Sequence, residues 1–306
     1  MTECLVVQPI AEPGLELLRG AGLVVGTPDT TDFAALEPHL ATARAVITRN
    51  HGLSAIEIAA APNLDVIVSH GAGTDAIDKS AAAARGIRVT STPGANTIAV
   101  AEHTIALILA CARQIPQADL AMRKSDFGFR YRQTGFEIAG KTLGLVGYGR
   151  IARSVATLAR AFNMRIIAVT AHASDADLAS DGVERVDMDT LCARSDIVSL
   201  HSVPGRSRRF DAARIDALRP GAIVINTARG TLLDETALVA ALRNGKLSGA
   251  ALDVFSPEPP PKDSPLFDCP KLILTPHVGG SALEALDRTA IAAAGKVIEA
   301  LGASSQ

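Results

Sequence analysis

Tryptophan is absent from the 306 residues and aromatic side chains make up only 3%, so platforms for stacking nucleic-acid bases are not expected. Neither sign of charge is in excess: 30 Lys plus Arg stand against 32 Asp plus Glu, a formal charge of −2. That balance argues against a general binder of nucleic acid or another polyanion. Cysteine is scarce, and Cys4, Cys111, Cys192 and Cys269 form no C-x-x-C pair. A disulfide framework or zinc site is therefore not expected, and small buried apolar roles are. No two histidines have metal-site spacing beside a carboxylate, so no metal is expected. Long apolar runs are missing too. Residues 1–10 lack the basic start and apolar core of a signal peptide. The most apolar stretch, 98–112, is broken by Glu102 and His103 and is too short and polar to span a bilayer. The expectation is a cytoplasmic protein with no membrane partner.

What is present is an apolar content of 48%, which excludes a disordered chain. At roughly 100–200 residues per domain, the length predicts two domains. Short β-rich runs at 5–7, 23–25, 45–47, 66–68 and 87–89 read as strands. Segments 13–20, 32–43, 54–61 and 79–85 between them suit helices. Pro93-Gly94 closes this series, and a long helix is predicted over 97–114. Segment 123–139 has little apolar periodicity and reads as a surface wrap. The alternation restarts with strands at 142–146, 165–169, 197–200, 222–225, 249–252 and 272–274, and one Ala-rich helix spans 281–301. Repeated β-then-α units imply two doubly wound α/β units, each a parallel sheet covered on both faces, with a boundary near 95–100.

The sharpest local feature is Gly147-Tyr148-Gly149-Arg150-Ile151-Ala152, between a predicted strand and a predicted helix. In that setting Gly147 makes a tight turn and Gly149 lets the backbone approach a pyrophosphate. Ala152 stands where the third small residue allows close helix–strand packing. The helix start offers unpaired N–H groups and a positive dipole end. Later strand ends carry three further strings: 226–230 with Arg229, 253–259 with Glu258, and 275–280 with His277. Arginine binds a carboxylate through two parallel hydrogen bonds. Histidine moves protons near neutral pH. A carboxylate beside it holds the ring and favours imidazolium. Taken singly, Arg229 reads as a surface ion pair, Glu258 as solvated and His277 as a helix cap. Their convergence beside a nucleotide loop favours a site.

With His70-Gly71-Ala72-Gly73-Thr74-Asp75 and Val100-Ala101-Glu102-His103 added to those strings, the chain resembles the D-isomer-specific 2-hydroxyacid dehydrogenases, in particular the phosphoglycerate dehydrogenase-like members. The resemblance implies a flavodoxin-like substrate domain, discontinuous over 1–97 and 282–306, and a Rossmann dinucleotide-binding domain over 98–281. It implies Arg229, Glu258 and His277 as the catalytic set. Ala72 and Gly73 would grip the substrate carboxylate, and Arg49 corresponds to a basic substrate contact, although a solvated strand-end arginine reads equally well. Gly147, Gly149, Arg150 and Ile151 would meet the pyrophosphate, and His201, Ala228 and Asp253 would line the cofactor. A homodimer through the nucleotide domain is implied, with the 98–112 helix helping to build it. At 306 residues, the additional C-terminal regulatory domain of some phosphoglycerate dehydrogenases is expected to be lacking. His39 and His51 read as loop or helix-surface residues, His103 as a structural histidine in an apolar helix, and His70 is ambiguous because it adjoins the substrate loop.

Two departures bear on the cofactor. The acidic residue expected after the second strand of the nucleotide domain is missing, and Thr170 stands there. The stretch 204–209 is more basic than usual. His172 and Ser174 could hydrogen-bond a 2′-phosphate, and Arg206, Arg208 or Arg209 could reach it. The expectation is an NAD(P)-dependent oxidoreductase on a small 2-hydroxy or 2-oxo acid, with a slight lean to NADP over NAD. Phosphoglycerate or the glycerate, hydroxypyruvate and glyoxylate group are the candidate substrates. The alternative is a non-enzymatic scaffold that senses the dinucleotide, as in co-repressor relatives.

Overall fold

Aliphatic runs bounded by helix-starting Ser and Asp residues impose an alternation of strand and helix on the first ninety residues. β1 (Cys4–Val6), α1 (Glu12–Gly20), β2 (Val25–Gly26), α2 (Phe33–Leu40), β3 (Ala45–Thr48), α3 (Ala55–Ala59), β4 (Val66–Ser69), α4 (Lys79–Ala84) and β5 (Arg88–Ser91) follow one another. Ser54 starts α3 with a reciprocal capping box to Glu57, and Asp78 caps α4. A computed structural model describes residues 1–203 and 209–302. The chain divides into two units, Met1–Asn96 with Gly280–Gln306, and Thr97–Gly279.

In the first unit the strands are parallel in the order β2-β1-β3-β4-β5, the flavodoxin-like order. Alternation along each strand splits the core in two. Leu5, Val46 and Ile67 face Leu36, Leu40 and Ile58. Cys4, Val6, Ile47 and Val68 face Leu18 and the buried side of the last helix, through Ala293, Ala294 and Val297.

The second unit opens with α5 (Thr97–Arg113), α6 (Ile115–Arg123) and α7 (Phe129–Arg132). It continues through β6 (Thr142–Val146), α8 (Arg150–Ala161), β7 (Arg165–Val169), α9 (Asp175–Ser180), β8 (Val183–Arg185), α10 (Met188–Arg194) and β9 (Ile197–Leu200). Then come α11 (Ala212–Ala217), β10 (Ala222–Asn226), α12 (Glu235–Arg243), β11 (Leu247–Leu252) and β12 (Leu272–Leu274). The parallel sheet runs β12-β11-β10-β9-β6-β7-β8. Chain order reverses at β6, and open α/β sheets place ligands outside the carboxyl ends of their strands at such a point. Finally α13 (Leu283–Leu301) returns to the first unit and packs on α1, where a Cβ on Gly14 would lie 2.7 Å from that of Ala290.

Three local readings change. The segment read as an irregular wrap contains α7, and α6 precedes it; Gln114 at φ 52° separates α6 from α5. The strand at 23–25 shifts to Val25–Gly26, set by pairing of β2 with β1. Strand β8 went unread because Val183-Glu184-Arg185 has a single apolar residue, enough for a sheet edge. Helix α5 buries Ala101, Ile105, Leu107, Ile108, Cys111 and Ala112 in its own unit's core, so that face is not available to a second subunit. Among the described residues no single helix is long and apolar enough to cross a membrane.

Candidate active site

The turn after β6 is built for glycine. Gly147 sits at φ 97°, and a Cβ there would lie 2.8 Å from the His201 carbonyl group. Its N–H donates to the Val169 carbonyl at 2.9 Å, which ties the ends of β6 and β7 together. A Cβ on Gly149 would meet nothing within 4 Å, so backbone there can be approached closely. Gly149 precedes α8 without a side-chain cap, leaving the first-turn N–H groups of Arg150 and Ile151 to an anion. Ala152 is fully buried against the sheet. This cradle fits the pyrophosphate of a dinucleotide.

The other residues predicted around a cofactor all follow carboxyl ends of neighbouring strands. After β7, Thr170 Oγ1 accepts hydrogen bonds from the N–H groups of His172 and Ala173, both at 3.3 Å. Arg185 at the end of β8 donates to the carbonyls of Thr170 (2.7 Å) and Ala173 and pairs with Asp175. Sequence reading missed Arg185, since nothing in a three-residue edge strand marks it. Arg206 and Arg208 lie outside the described residues, and Arg209 lies 3.7 Å from Asp234. After β9, His201 Nε2 is 2.8 Å from Ser199 Oγ, and burial pushes its pKa down to about 4. At the end of β10, the fully buried Asn226 accepts from Ala228 N–H (3.1 Å) and donates to the Arg229 carbonyl (2.9 Å). This brace was another residue not singled out, although it opens the 226–230 string.

Asp253, after β11, is 1% exposed. Its carboxylate accepts from Thr275 Oγ1 at 2.6 Å and from the N–H groups of Val278 and Gly279, each at 2.9 Å. His103 Nε2 stands 3.4 Å away and is 3.2 Å from Thr275 Oγ1. Burial works against the charge on Asp253. The hydrogen bonds from His103, Thr275, Val278 and Gly279 outweigh it and hold the carboxyl below the usual carboxylate range. The Asp253 carbonyl also accepts from His277 N–H at 2.9 Å. Asp253 thus holds the turn in which His277 adopts φ 53°.

Arg229, Glu258 and His277 follow β10, β11 and β12, three adjacent strands. His277 Nδ1 lies 2.5 Å from Glu258 Oε1. A carboxylate only accepts, so Nδ1 carries the proton and Nε2 is left for other chemistry. His277 is not a cap of α13, whose N-cap is Ala282. Arg229 is half-buried and donates to the Ala228 carbonyl at 2.6 Å. Such a set can hold an anion, neutralise a growing oxyanion and move a proton.

The substrate residues expected in the first unit also sit at strand ends. Arg49 follows β3; its N–H is fixed by Gln8 Oε1 (3.2 Å) and its guanidinium donates to the Pro9 carbonyl (2.8 Å). Ala72 and Gly73 lie in a loop after β4 pinned at both ends. Gly71 N–H donates to Thr92 Oγ1 at 2.9 Å, and Ser69 Oγ donates to the Gly73 carbonyl at 2.5 Å. His51 pairs with Glu57 at 2.6 Å, and His39 with Thr2 at 2.8 Å.

Residues 105–279 match the model of the D-isomer specific 2-hydroxyacid dehydrogenase, NAD binding domain. Over 285 residues, 92% of this chain and 54% of the relative, the chain is 39% identical to a D-3-phosphoglycerate dehydrogenase of Archaeoglobus fulgidus. It is 42% identical over 249 residues to a glyoxylate reductase of Thermofilum pendens, covering 79% of this chain and 73% of that one. The chain spans about half the length of the phosphoglycerate dehydrogenases it matches. Among solved structures, the TT0316 protein of Thermus thermophilus superposes with a TM-score of 0.88 at 34% identity, covering 98% of this chain and 97% of that one. An acyclic imino acid reductase in complex with NADPH and D-Arg reaches 0.87 at 26% identity, covering 98% and 97%. A D-lactate dehydrogenase from Aquifex aeolicus complexed with NAD and lactic acid reaches 0.85 at 27%, covering 98% and 95%. With the matched domain filling more than half of its length and Arg229, Glu258 and His277 at three adjacent strand ends, this chain belongs to the D-isomer-specific 2-hydroxyacid dehydrogenase family.

Proposed function

We propose that the protein is an NAD(P)-dependent 2-hydroxyacid dehydrogenase, running 2-oxoacid + NAD(P)H + H⁺ ⇌ 2-hydroxyacid + NAD(P)⁺ in the cytoplasm. The observation that carries this is the 2.5 Å approach of Glu258 to His277 Nδ1, with Arg229 on the next strand end. When bound, the nicotinamide supplies or accepts the hydride at the substrate's carbonyl carbon. His277 Nε2 gives a proton to the carbonyl oxygen in reduction and takes it back in oxidation. Glu258 fixes the ring through Nδ1 and stabilises the imidazolium. Arg229 pairs with the substrate carboxylate and stabilises the charge that grows on the oxygen.

Gly147, Gly149, Arg150 and Ile151 hold the pyrophosphate, and Thr170, His172, His201, Ala228 and Asp253 line the rest of the cofactor site. Thr170 neither attracts the ribose hydroxyls as a carboxylate does nor repels a 2′-phosphate. Arg185 beside it is engaged by the Thr170 and Ala173 carbonyls and by Asp175, so the lean to NADP rests on Thr170. The substrate is assigned to the unit formed by Met1–Asn96 and the α13 segment, with Ala72 and Gly73 on its carboxylate and Arg49 on its distal end. A homodimer is part of the reading. Ile115, Leu120, Met122, Phe127 and Tyr131, on and beside α6 and α7, are each more than half exposed and offer an apolar surface to a second copy.

Initial rates of NADH and NADPH oxidation with a panel of 2-oxoacids test the proposal. Turnover is expected in the wild type, and His277→Ala should lose on the order of 10²–10⁴-fold. Glu258→Gln should lower kcat while leaving cofactor affinity intact. No turnover with either cofactor, or wild-type rates in His277→Ala, rejects it.

A further inference from the structure

The glycine turn carries a tyrosine that is tied to a distant helix. Tyr148, between Gly147 and Gly149, is buried, and its ring is part of the core that includes Ile105, Ala152 and Val155. Its O–H donates to Asp181 Oδ2 at 2.9 Å. Burial, and then that carboxylate, push the phenol's pKa up, so the group stays a donor. Asp181 closes α9 as its C-cap.

Arg153 completes the junction. Its backbone N–H closes the first turn of α8 on the Gly149 carbonyl at 3.0 Å. Its guanidinium donates to the same Asp181 Oδ2 at 3.0 Å and stands 3.5 Å from Asp177 Oδ2. It also lies 5.2 Å from the centre of the Tyr148 ring, a cation–π distance. Asp177 and Asp181 are four residues apart, where like charges repel, and Arg153 offsets that repulsion. Arg160, in the last turn of α8, donates to the Asp181 carbonyl at 2.6 Å. At the other end of α9, Asp177 Oδ2 accepts from Ser174 N–H at 3.4 Å, and Ser174 Oγ accepts from Asp177 N–H at 3.1 Å. That capping box ends the loop that begins at Thr170. One chain of contacts therefore runs from the glycine turn, through Tyr148 and Arg153, to both ends of α9 and so to the 170–174 loop.

The cofactor reading above assigns the glycine turn to the pyrophosphate and the 170–174 loop to the adenosine ribose. The ADP half of a dinucleotide is one covalent piece of fixed reach, and it gains both contacts only if the two loops stand at a matching separation. Slack between them becomes an ordering cost met on binding. We propose that Tyr148, Arg153 and Asp181 are positioning residues that set the separation of the glycine turn from the 170–174 loop, and with it the affinity for the ADP half of the cofactor. The proposal rests on that cofactor reading. Hydride and proton move at the other end of the dinucleotide, so turnover at saturating cofactor does not depend on the three. The Arg153 and Asp181 side chains are 40% and 35% exposed, and solvent screening keeps the effect of their pairing modest.

The test is calorimetric titration of the full chain with ADP, NADH and NADPH, alongside thermal unfolding and steady-state kinetics on the 2-oxoacid panel. Tyr148→Phe keeps the ring and removes one donor. It should raise Kd for ADP, and Kd and KM for the reduced cofactors, by about three- to tenfold while kcat at saturating cofactor holds. Arg153→Ala should weaken ADP binding further. Arg153→Lys should recover part of that loss, because an ammonium reaches one carboxylate and not both. Tyr148→Phe decides alone if the arginine variants do not fold. A Kd for ADP within about twofold of wild type in the variants that fold, whatever happens to Tm, overturns the proposal and leaves the contacts purely structural. So does a fall in kcat as large as the rise in Kd. Cofactor binding by the wild type without turnover of any 2-oxoacid rejects the dehydrogenase reading alone, and the titrations still decide the positioning role. A wild type that binds neither ADP nor a reduced cofactor rejects both.

Discussion

Gly230 and Phe255 meet backbone to backbone: a Cβ on Gly230 would lie 2.0 Å from the Phe255 carbonyl carbon and oxygen. The loop that carries Arg229 is thereby locked to the strand end that leads to Glu258. Gly230→Ala forces backbone to move, since no flexible side chain is there to yield. The expected cost is about 1–3 kcal/mol of stability with a loss of more than tenfold in kcat. Urea denaturation and steady-state kinetics on the same preparation check both, and an alanine variant of unchanged rate would falsify the coupling.

Arg229→Ala should cripple turnover and weaken 2-oxoacid binding with little change in cofactor affinity. Arg229→Lys should rescue poorly, because an ammonium is a point charge and cannot reproduce the two parallel donors of a guanidinium. The comparison is kcat/KM for the 2-oxoacid alongside calorimetric cofactor titration. A lysine variant near wild type would show that charge alone is needed.

Asp253→Asn should loosen the turn that holds His277. Its carboxylate accepts from Thr275, Val278 and Gly279, and an amide turns one acceptor oxygen into a donor facing donors. A loss of about 1.5–3 kcal/mol is expected, the range for hydrogen bonds to a charged group. Faster hydrogen exchange at the Val278 and Gly279 amides should accompany a fall in kcat. Unaltered exchange would mean that the carboxylate does not hold the turn.

His201 makes stability depend on pH in a known direction. Burial lowers its folded pKa from 6.5 to about 4, so between those values the unfolded chain binds more protons than the folded one. Its contribution is complete above 6.5 and is lost as pH falls towards 4. The slope of Tm against pH in that window should flatten in His201→Gln. An identical slope in variant and wild type would assign the acid sensitivity to other groups.

Thr170→Asp should move selectivity towards NAD by restoring repulsion of the 2′-phosphate. The new carboxylate would also stand beside Arg185, which already holds the Thr170 carbonyl. The ratio of kcat/KM for NADPH to that for NADH, at fixed ionic strength, is expected to fall at least about tenfold, or roughly 1.4 kcal/mol. A wild type that rejects NADPH a hundredfold would overturn the lean to NADP.

The strands were legible because each is a short aliphatic run, as in Thr142–Val146 and Ile197–Leu200, and burial on both faces of a parallel sheet writes itself into local composition. The glycine turn at 147–152 and the strings around Arg229, Glu258 and His277 were legible for a similar reason. Each is a few contiguous residues whose backbone demands or chemistry are local. Strand β8 and helix α7 were not, since an edge strand and a short surface helix need little apolar sequence. The tertiary structure alone decided the pairs between distant residues. It put Glu258 on Nδ1 of His277, Arg185 on the loop of Thr170, and Gly14 against Ala290. It also put Tyr148 and Arg153 on Asp181. Those pairings depend on strand order and register, which arise from packing two sheets' worth of interchangeable apolar runs and are written in no single segment.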